Sequence, residues 1–164
     1  MIAQAKQSFK PDLSARTLGL MLVAGVVATI AFDGFGQWLS PALGFARLAP
    51  VPLATQTVQV LFGPLENASF FGEVIHYLTG IIAYPIGYAF IALPIAKAII
   101  PKIHWFVVAV VYGVALWVFA LYIMAHLVAG NPPFLNFTGI TWVALIGHVI
   151  FAVVFAAIMA PRMR

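Results

Sequence analysis

The chain has 164 residues, of which 64% are hydrophobic and 7% are charged, and it contains no cysteine. A soluble domain carries about 25% charged residues, so this composition excludes an ordinary soluble fold. The formal net charge is +4, but the basic residues form no patch with interleaved aromatic rings, which argues against a nucleic-acid partner. The absence of cysteine excludes disulfides, thiolate metal sites and covalently attached haem.

Four long apolar segments predict an all-α, polytopic membrane protein: a bundle of four transmembrane helices in a single domain that comprises residues 1–164. Each segment has about 20 or more mainly apolar residues, which suffices to cross a hydrocarbon core of about 30 Å. Pro85 predicts a kink in the second segment, because proline lacks a backbone donor and clashes with the preceding turn. The predicted spans are residues 18–39, 70–100, 103–129 and 137–160.

The connection between the first two spans, residues 40–69, is the longest segment outside the predicted helices. Its prolines favour a loop over one continuous helix. Within it, residues 53–62 predict a short helix that lies in the membrane interface with its apolar side towards the lipid.

Basic side chains are distributed unevenly about the four predicted crossings. Seven of the eight lie at one end of the bundle, and only Arg47 lies at the other. The positive-inside rule therefore predicts that both termini lie in the cytoplasm. The apolar segment after residues 1–17 is too long for a signal peptide and no small-residue cleavage pattern clearly follows it, so a cleaved signal peptide is not expected. The seven basic residues are Lys6, Lys10, Arg16, Lys97, Lys102, Arg162 and Arg164.

Five ionisable side chains fall within the predicted spans. Such groups are costly in lipid and usually face the interior of the bundle or a wet cavity. Four of them lie near the non-cytoplasmic end, and the fifth, His148, lies roughly 15 Å along the fourth span, near the midplane. The five are Asp33, Glu73, His76, His126 and His148. The fourth span also carries a ridge of mainly small residues, typical of close helix packing: Ala144, His148, Ala152, Ala156 and Ala160.

A metal site is one interpretation of these groups. Glu73 and His76 form a Glu-x-x-His pair of the kind that carboxylate-bridged di-iron bundles use twice. Because a second pair is missing, the hypothesis is a single divalent metal, with Asp33, Glu73, His76 and His126 as candidate ligands.

A b-type haem is a second interpretation. His76 and His126 are predicted at similar depths, Gly72 and Gly80 leave room beside His76, and His148 is a third candidate for haem binding. A simpler alternative is that each histidine only hydrogen-bonds a neighbouring helix and stabilises the bundle.

Several short motifs resemble those of small four-helix bacterial inner-membrane proteins of the YagU-like kind. They are His-Tyr-Leu-Thr-Gly at 76–80, Tyr-Pro-Ile-Gly-Tyr at 84–88, Val-Tyr-Gly-Val-Ala-Leu-Trp at 111–117 and Leu-Ile-Gly-His-Val-Ile-Phe-Ala at 145–152. The resemblance covers residues 18–160 and implies a four-helix inner-membrane protein with no established activity. His76, Gly80 and His148 match positions of the family motif, whereas His126 lies in a region where the family motif often has proline.

No motif for nucleophilic catalysis or phosphate binding is present, and ionisable groups do not continue across the bilayer as a proton relay requires. The sequence therefore favours a non-enzymatic accessory subunit of a larger bacterial membrane complex, respiratory or photosynthetic. Its partners are the lipid bilayer and other membrane subunits or further copies of the chain. The alternatives are a small haem- or metal-binding membrane protein and a transporter of protons, ions or small solutes.

Overall fold

The computed structural model describes residues 14–163, and these residues form an all-α protein. Within this range, four helices are long and apolar enough to cross a membrane, which confirms the predicted fold class. A shorter helix lies between the first two of them. In chain order the helices are α1 (Ala15–Ala42), α2 (Pro50–Phe62), α3 (Ala68–Ile99), α4 (Trp105–Val128) and α5 (Gly139–Arg162).

The predicted short helix is present as α2, and it begins three residues earlier than expected, at Pro50. Proline is favoured in the first turn of a helix, where its missing N–H costs nothing. We call the side of the bundle that carries α2 the α2 end. The opposite side, which carries Arg16, Lys97, Lys102 and Arg162, is the basic end. The other three basic residues predicted on that side, Lys6, Lys10 and Arg164, lie outside the described residues.

The four long helices form a ring that is incomplete on one side. α1 packs against α5 and α3, and α5 packs against α4 along much of its length. In contrast, α3 meets α4 chiefly near the basic end, where Tyr88–Ala92 and Leu93–Ile99 face Trp105–Val118. Towards the α2 end the two helices separate, and α2 packs on Ala68–Leu78 of α3.

Small residues allow the close contacts of this ring. A β-carbon added at Gly113 would lie 2.6 Å from the Cα atom of Val149, so α4 and α5 touch through their backbones there. Ala144, Ala152 and Ala156 of the predicted small-residue ridge are buried in the same region. Dispersion contacts at such short separations drive helix association in lipid, where the hydrophobic effect does not.

Two π-helical turns interrupt α3, Thr79–Ala83 and Tyr88–Ala92, and the prolines follow closely as Pro85 and Pro94. A π turn widens the helix and so accommodates a residue that cannot donate to the ladder. The helix therefore continues through both prolines. The position of the predicted kink, Pro85, closely follows the π turn Thr79–Ala83, and π turns commonly bend helices.

The connection between α4 and α5 contains a left-handed turn at residues 134–137, with φ between 48° and 58°. This conformation costs roughly 1–2 kcal/mol for each residue other than glycine. Contacts offset the cost: the Phe134 ring lies 4.8 Å from that of Trp117 and 5.5 Å from that of Tyr122. The Thr141 hydroxyl also donates to the carbonyl oxygen of Phe134.

We expect Thr141→Val to destabilise the protein by about 1 kcal/mol, because Thr141 is fully buried and its hydroxyl is a partner of the strained turn. Thr138→Val is the matched control, since the Thr138 hydroxyl makes a similar bond to Leu135 but is exposed. Titration of the folded fraction with sodium dodecyl sulfate compares the two. Equal stability of both variants would mean that the buried bond does not support the turn.

Candidate functional site

A cavity of about 790 Å³ occupies the space where α3 and α4 separate. Pockets that bind small molecules typically enclose about 300–1,000 Å³, so this one has the size of a ligand site. α1 and α5 form its back wall, and α2 borders it at the α2 end. The lining includes His76, Tyr84, Tyr112, Ala115, Phe119 and His148.

The cavity opens sideways, towards the surface that faces lipid. Ile91 of α3 lines it and is nevertheless 59% exposed, and Ile75 and Phe119 are each 39% exposed. All three belong to helices that span the apolar layer. The cavity is therefore accessible from the region that acyl chains occupy.

Helix α2 covers the cavity at the α2 end, and a hydrogen-bonded link holds it there. Gln56 of α2 donates from Nε2 to the carbonyl oxygen of Ala129, at 3.3 Å, just beyond the end of α4. Asn131 donates from Nδ2 to Oε1 of Gln56 at 2.9 Å and to the carbonyl oxygen of Ala125 at 3.1 Å. These bonds connect α2 to the end of α4 beside the cavity, which Gln56 also lines.

His148 lies on the α5 wall and is only 6% exposed. Its Nδ1 lies 2.7 Å from the carbonyl oxygen of Ala144, which can only accept, so Nδ1 carries the hydrogen. Nε2 of His148 has no hydrogen-bond partner among residues 14–163. Every side-chain nitrogen or oxygen of that range that is completely buried does have a partner, so Nε2 is not completely buried. Because His148 lines the cavity, we infer that Nε2 lies at the cavity surface.

Tyr84 stands beside His148, with ring centroids 6.3 Å apart. By the same reasoning its hydroxyl, which has no partner in the described part of the chain, also reaches the cavity surface. The carbonyl oxygen of Tyr84 accepts from the hydroxyl of Tyr112 at 2.7 Å, which ties α3 to α4. We call Tyr84, Tyr112 and His148 the cavity floor.

Asp33 and His76 form a hydrogen-bonded pair between α1 and α3. Nε2 of His76 lies 3.2 Å from both carboxylate oxygens of Asp33, and Gln37 donates to Oδ1 at 2.8 Å. The two side chains are 13% and 17% exposed. The Phe32 ring lies 6.2 Å from that of His76 and 5.0 Å from that of His148, so it contacts both histidines that line the cavity.

The structure brings together only some of the predicted site residues. Asp33 and His76 are in contact, and His76 and His148 line the same cavity. His126 instead donates from Nδ1 to the carbonyl oxygen of Asn131 at 2.7 Å, beyond the end of α4, and Glu73 is exposed. Across residues 14–163, no three histidine or acidic side chains are grouped so that they could hold a metal ion.

Sequence reasoning missed Phe32 and Tyr84 as site residues. The signal that could have found them is the small residues Ala83 on α3 and Ala115 and Ala120 on α4, which line the cavity. Gly80 and Gly87 line it too but allow close contacts, because a β-carbon would collide with Thr29 of α1 at Gly80 and with the Tyr112 hydroxyl at Gly87. Tyr88 and Tyr112 join α3 to α4 near the basic end.

Comparisons with protein-family models, with curated proteins and with solved structures found no match to this chain. The resemblance to YagU-like proteins therefore stays a prediction from the short motifs alone. The geometry of the cavity and its polar residues is accordingly the basis on which a function can be inferred.

Proposed function

We propose that the protein is a non-enzymatic membrane protein that binds an apolar small molecule in the cavity between α3 and α4. The observation that carries this proposal is the unpaired Nε2 of buried His148 at the surface of an apolar, ligand-sized cavity. Ligand sites combine apolar walls with a few placed polar groups, since burial supplies affinity and the polar groups fix orientation. The lateral opening would admit a ligand directly from the bilayer.

The proposal also states in which membrane the protein lies and how its helices are oriented there. We place the chain in the bacterial inner membrane with its basic end in the cytoplasm, because basic residues accumulate on the cytoplasmic side of such proteins. Four basic side chains of the described range, those of Arg16, Lys97, Lys102 and Arg162, support this orientation, and Arg47 opposes it. The cavity then extends from the end remote from the cytoplasm past the middle of the bilayer, since Ile91 and Tyr112 line it.

We further propose an accessory role within a larger respiratory or photosynthetic complex. The support is the small extramembrane mass: between the four spans, the longest segment is residues 43–67, and α2 makes up about half of it. A protein of this shape presents mainly a lipid-facing surface, to which other membrane subunits or further copies can bind. Migration of the untagged protein from native membranes on a native gel tests this role, and migration as a monomer would contradict it.

A matched pair of variants tests ligand binding. Ala115→Phe places a phenyl ring in the cavity from α4, whereas Val111→Phe places one on the same helix at a position that is 63% exposed and outside the cavity lining. The protein is extracted with its lipids in polymer nanodiscs, and apolar small molecules are identified by mass spectrometry. We expect one compound enriched to about one molecule per chain in the wild type and in Val111→Phe.

In Ala115→Phe the same compound should fall to its abundance in bulk lipid, because the ring takes up space that the ligand needs. Two results would overturn the proposal: no compound enriched over bulk lipid in the wild type, or equal enrichment in the two variants. Circular dichroism confirms that both variants remain helical.

Haem b is a second candidate ligand, and the geometry of His148 favours it. Histidines that bind metals usually donate their other ring N–H to a carbonyl or carboxylate, as Nδ1 of His148 does to Ala144. A reducible Soret band in the absorption spectrum of the purified protein, lost in His148→Phe, would identify haem. A featureless spectrum from protein that carries the enriched compound would eliminate it.

A further inference from the structure

The cavity floor defines the hydrogen bonds that a ligand must make. Because Nδ1 of His148 carries a hydrogen that it gives to Ala144, Nε2 of the neutral ring is an acceptor. The hydroxyl of Tyr84 has no acceptor among the described residues and so has a hydrogen to donate. A ligand group that satisfies both must donate one hydrogen bond and accept another. A hydroxyl group does this with a single oxygen.

The surroundings of these two groups are aromatic. The Phe32 ring meets that of His148 edge-on at 5.0 Å, and the Phe151 ring meets that of Tyr84 edge-on at 5.7 Å. Phe119 meets Tyr84 in the same manner at 6.3 Å. Edge-to-face neighbours of this kind favour a further flat ring over a branched or charged group. The hydroxyl of the ligand is therefore best carried by an aromatic ring.

The shape of the cavity indicates what is attached to that ring. From the floor the space extends along α3 and α4 to the lateral opening, where Ile91 and Phe119 are exposed to the apolar layer. A polar or charged substituent would be desolvated there without a partner. An apolar chain can instead leave through the opening and remain in lipid.

We propose that the ligand is a membrane-soluble quinol or phenol with an apolar tail. Its ring hydroxyl donates to Nε2 of His148 and accepts from the hydroxyl of Tyr84, and its tail leaves between α3 and α4. This inference rests on the proposed function, because it names the ligand class of the same cavity. It involves no electron transfer, and the oxidised quinone should bind less tightly because it has no hydrogen for His148.

The direct test compares three probes on the wild-type protein in nanodiscs by titration calorimetry: decylubiquinol, its di-O-methyl ether and decylubiquinone. All three have the same tail, and only the quinol has O–H donors. We expect the quinol to bind on the order of tenfold more tightly than either of the others, because they leave a buried acceptor unpaired. Equal affinity of the three probes would overturn the inference.

Two variants locate the effect. Tyr84→Phe removes one hydroxyl without changing the ring, and we expect quinol affinity to fall severalfold. His148→Phe should abolish the preference for quinol over the ether. Tyr122→Phe is the control, because Tyr122 is 40% exposed and lies outside the cavity lining. If His148→Phe fails to fold, the three-probe comparison on the wild type still decides.

Failure of this inference differs from failure of the proposed function. If a compound without an aromatic hydroxyl is enriched from native membranes and the three probes bind equally or not at all, the cavity binds a ligand of another class. If no compound is enriched and no probe binds, both proposals are wrong.

Discussion

Gly113→Leu is expected to destabilise the protein by about 3 kcal/mol or more. A β-carbon at Gly113 would lie 2.6 Å from the Cα of Val149 and 2.9 Å from the carbonyl oxygen of His148. These atoms belong to the backbone of α5 and cannot rotate away, so the helices must separate. Overpacking a tight interior costs typically 1–3 kcal/mol, and more where backbone must move.

Gly19→Leu provides the matched control for this prediction. Gly19 is also a helical glycine, on α1, but nothing lies within 4 Å of the position of its β-carbon. The change should leave stability within about 0.5 kcal/mol. Folded fractions in sodium dodecyl sulfate compare the two variants with the wild type. Similar stability of Gly113→Leu and Gly19→Leu would show that α4 and α5 do not pack as described.

The separation of α4 from α5 should also affect the cavity, since His148 lies on the α5 side of this contact and Ala115 on the α4 side. We therefore expect the milder Gly113→Ala to lose bound ligand at temperatures where it remains folded. The mass-spectrometric assay for the enriched compound measures this loss.

Asp33→Ala is expected to destabilise the protein by about 2 kcal/mol or more. The change removes both acceptors of the His76 imidazole and the acceptor of the Gln37 amide, in a region where the paired side chains are 13% and 17% exposed. A polar group left without a partner in such a place costs about 1–3 kcal/mol, and the change leaves two such groups. Thermal denaturation in nanodiscs measures the change.

Two further variants test the cause of this effect. Asp33→Asn retains one carbonyl acceptor and should lose less than half as much stability, and Glu73→Ala, at an exposed position of α3, should be neutral. In a His76→Ala background, Asp33→Ala should cost less than in the wild type, because the shared bond is already gone. Additive effects of the two alanine changes would mean that the pair contributes nothing.

The four helices of the described chain are predictable from the sequence because hydropathy is a local property. The predicted first and last residues of the spans differ from the observed ones by at most three positions, as at Ala15 and Ala42. The helices continue past the apolar segments there, so hydropathy does not mark their ends. Asp33 and Gln37 are four residues apart on α1 and so share one face, where they form a hydrogen bond of 2.8 Å.

The site is less predictable because it depends on how helices are arranged around the ring. Asp33 and His76 are separated by 43 positions, and their contact requires α1 and α3 to be neighbours. Predicted depth alone groups His126 with them. It bonds instead to Asn131, because the carbonyl oxygen of a turn beyond α4 lies within its reach. Periodicity cannot anticipate such turn geometry.

The proposed ligand binding requires the cavity between α3 and α4 to be open to lipid and closed to water by α2. The absence of cysteine from the sequence makes single-cysteine variants specific reporters. A nitroxide on Ala115→Cys in nanodiscs should be relaxed strongly by oxygen and weakly by a water-soluble nickel chelate, as should one on the lipid-facing Val111→Cys. Strong relaxation of the Ala115 label by the nickel chelate, or weak relaxation of it by oxygen, would contradict the account.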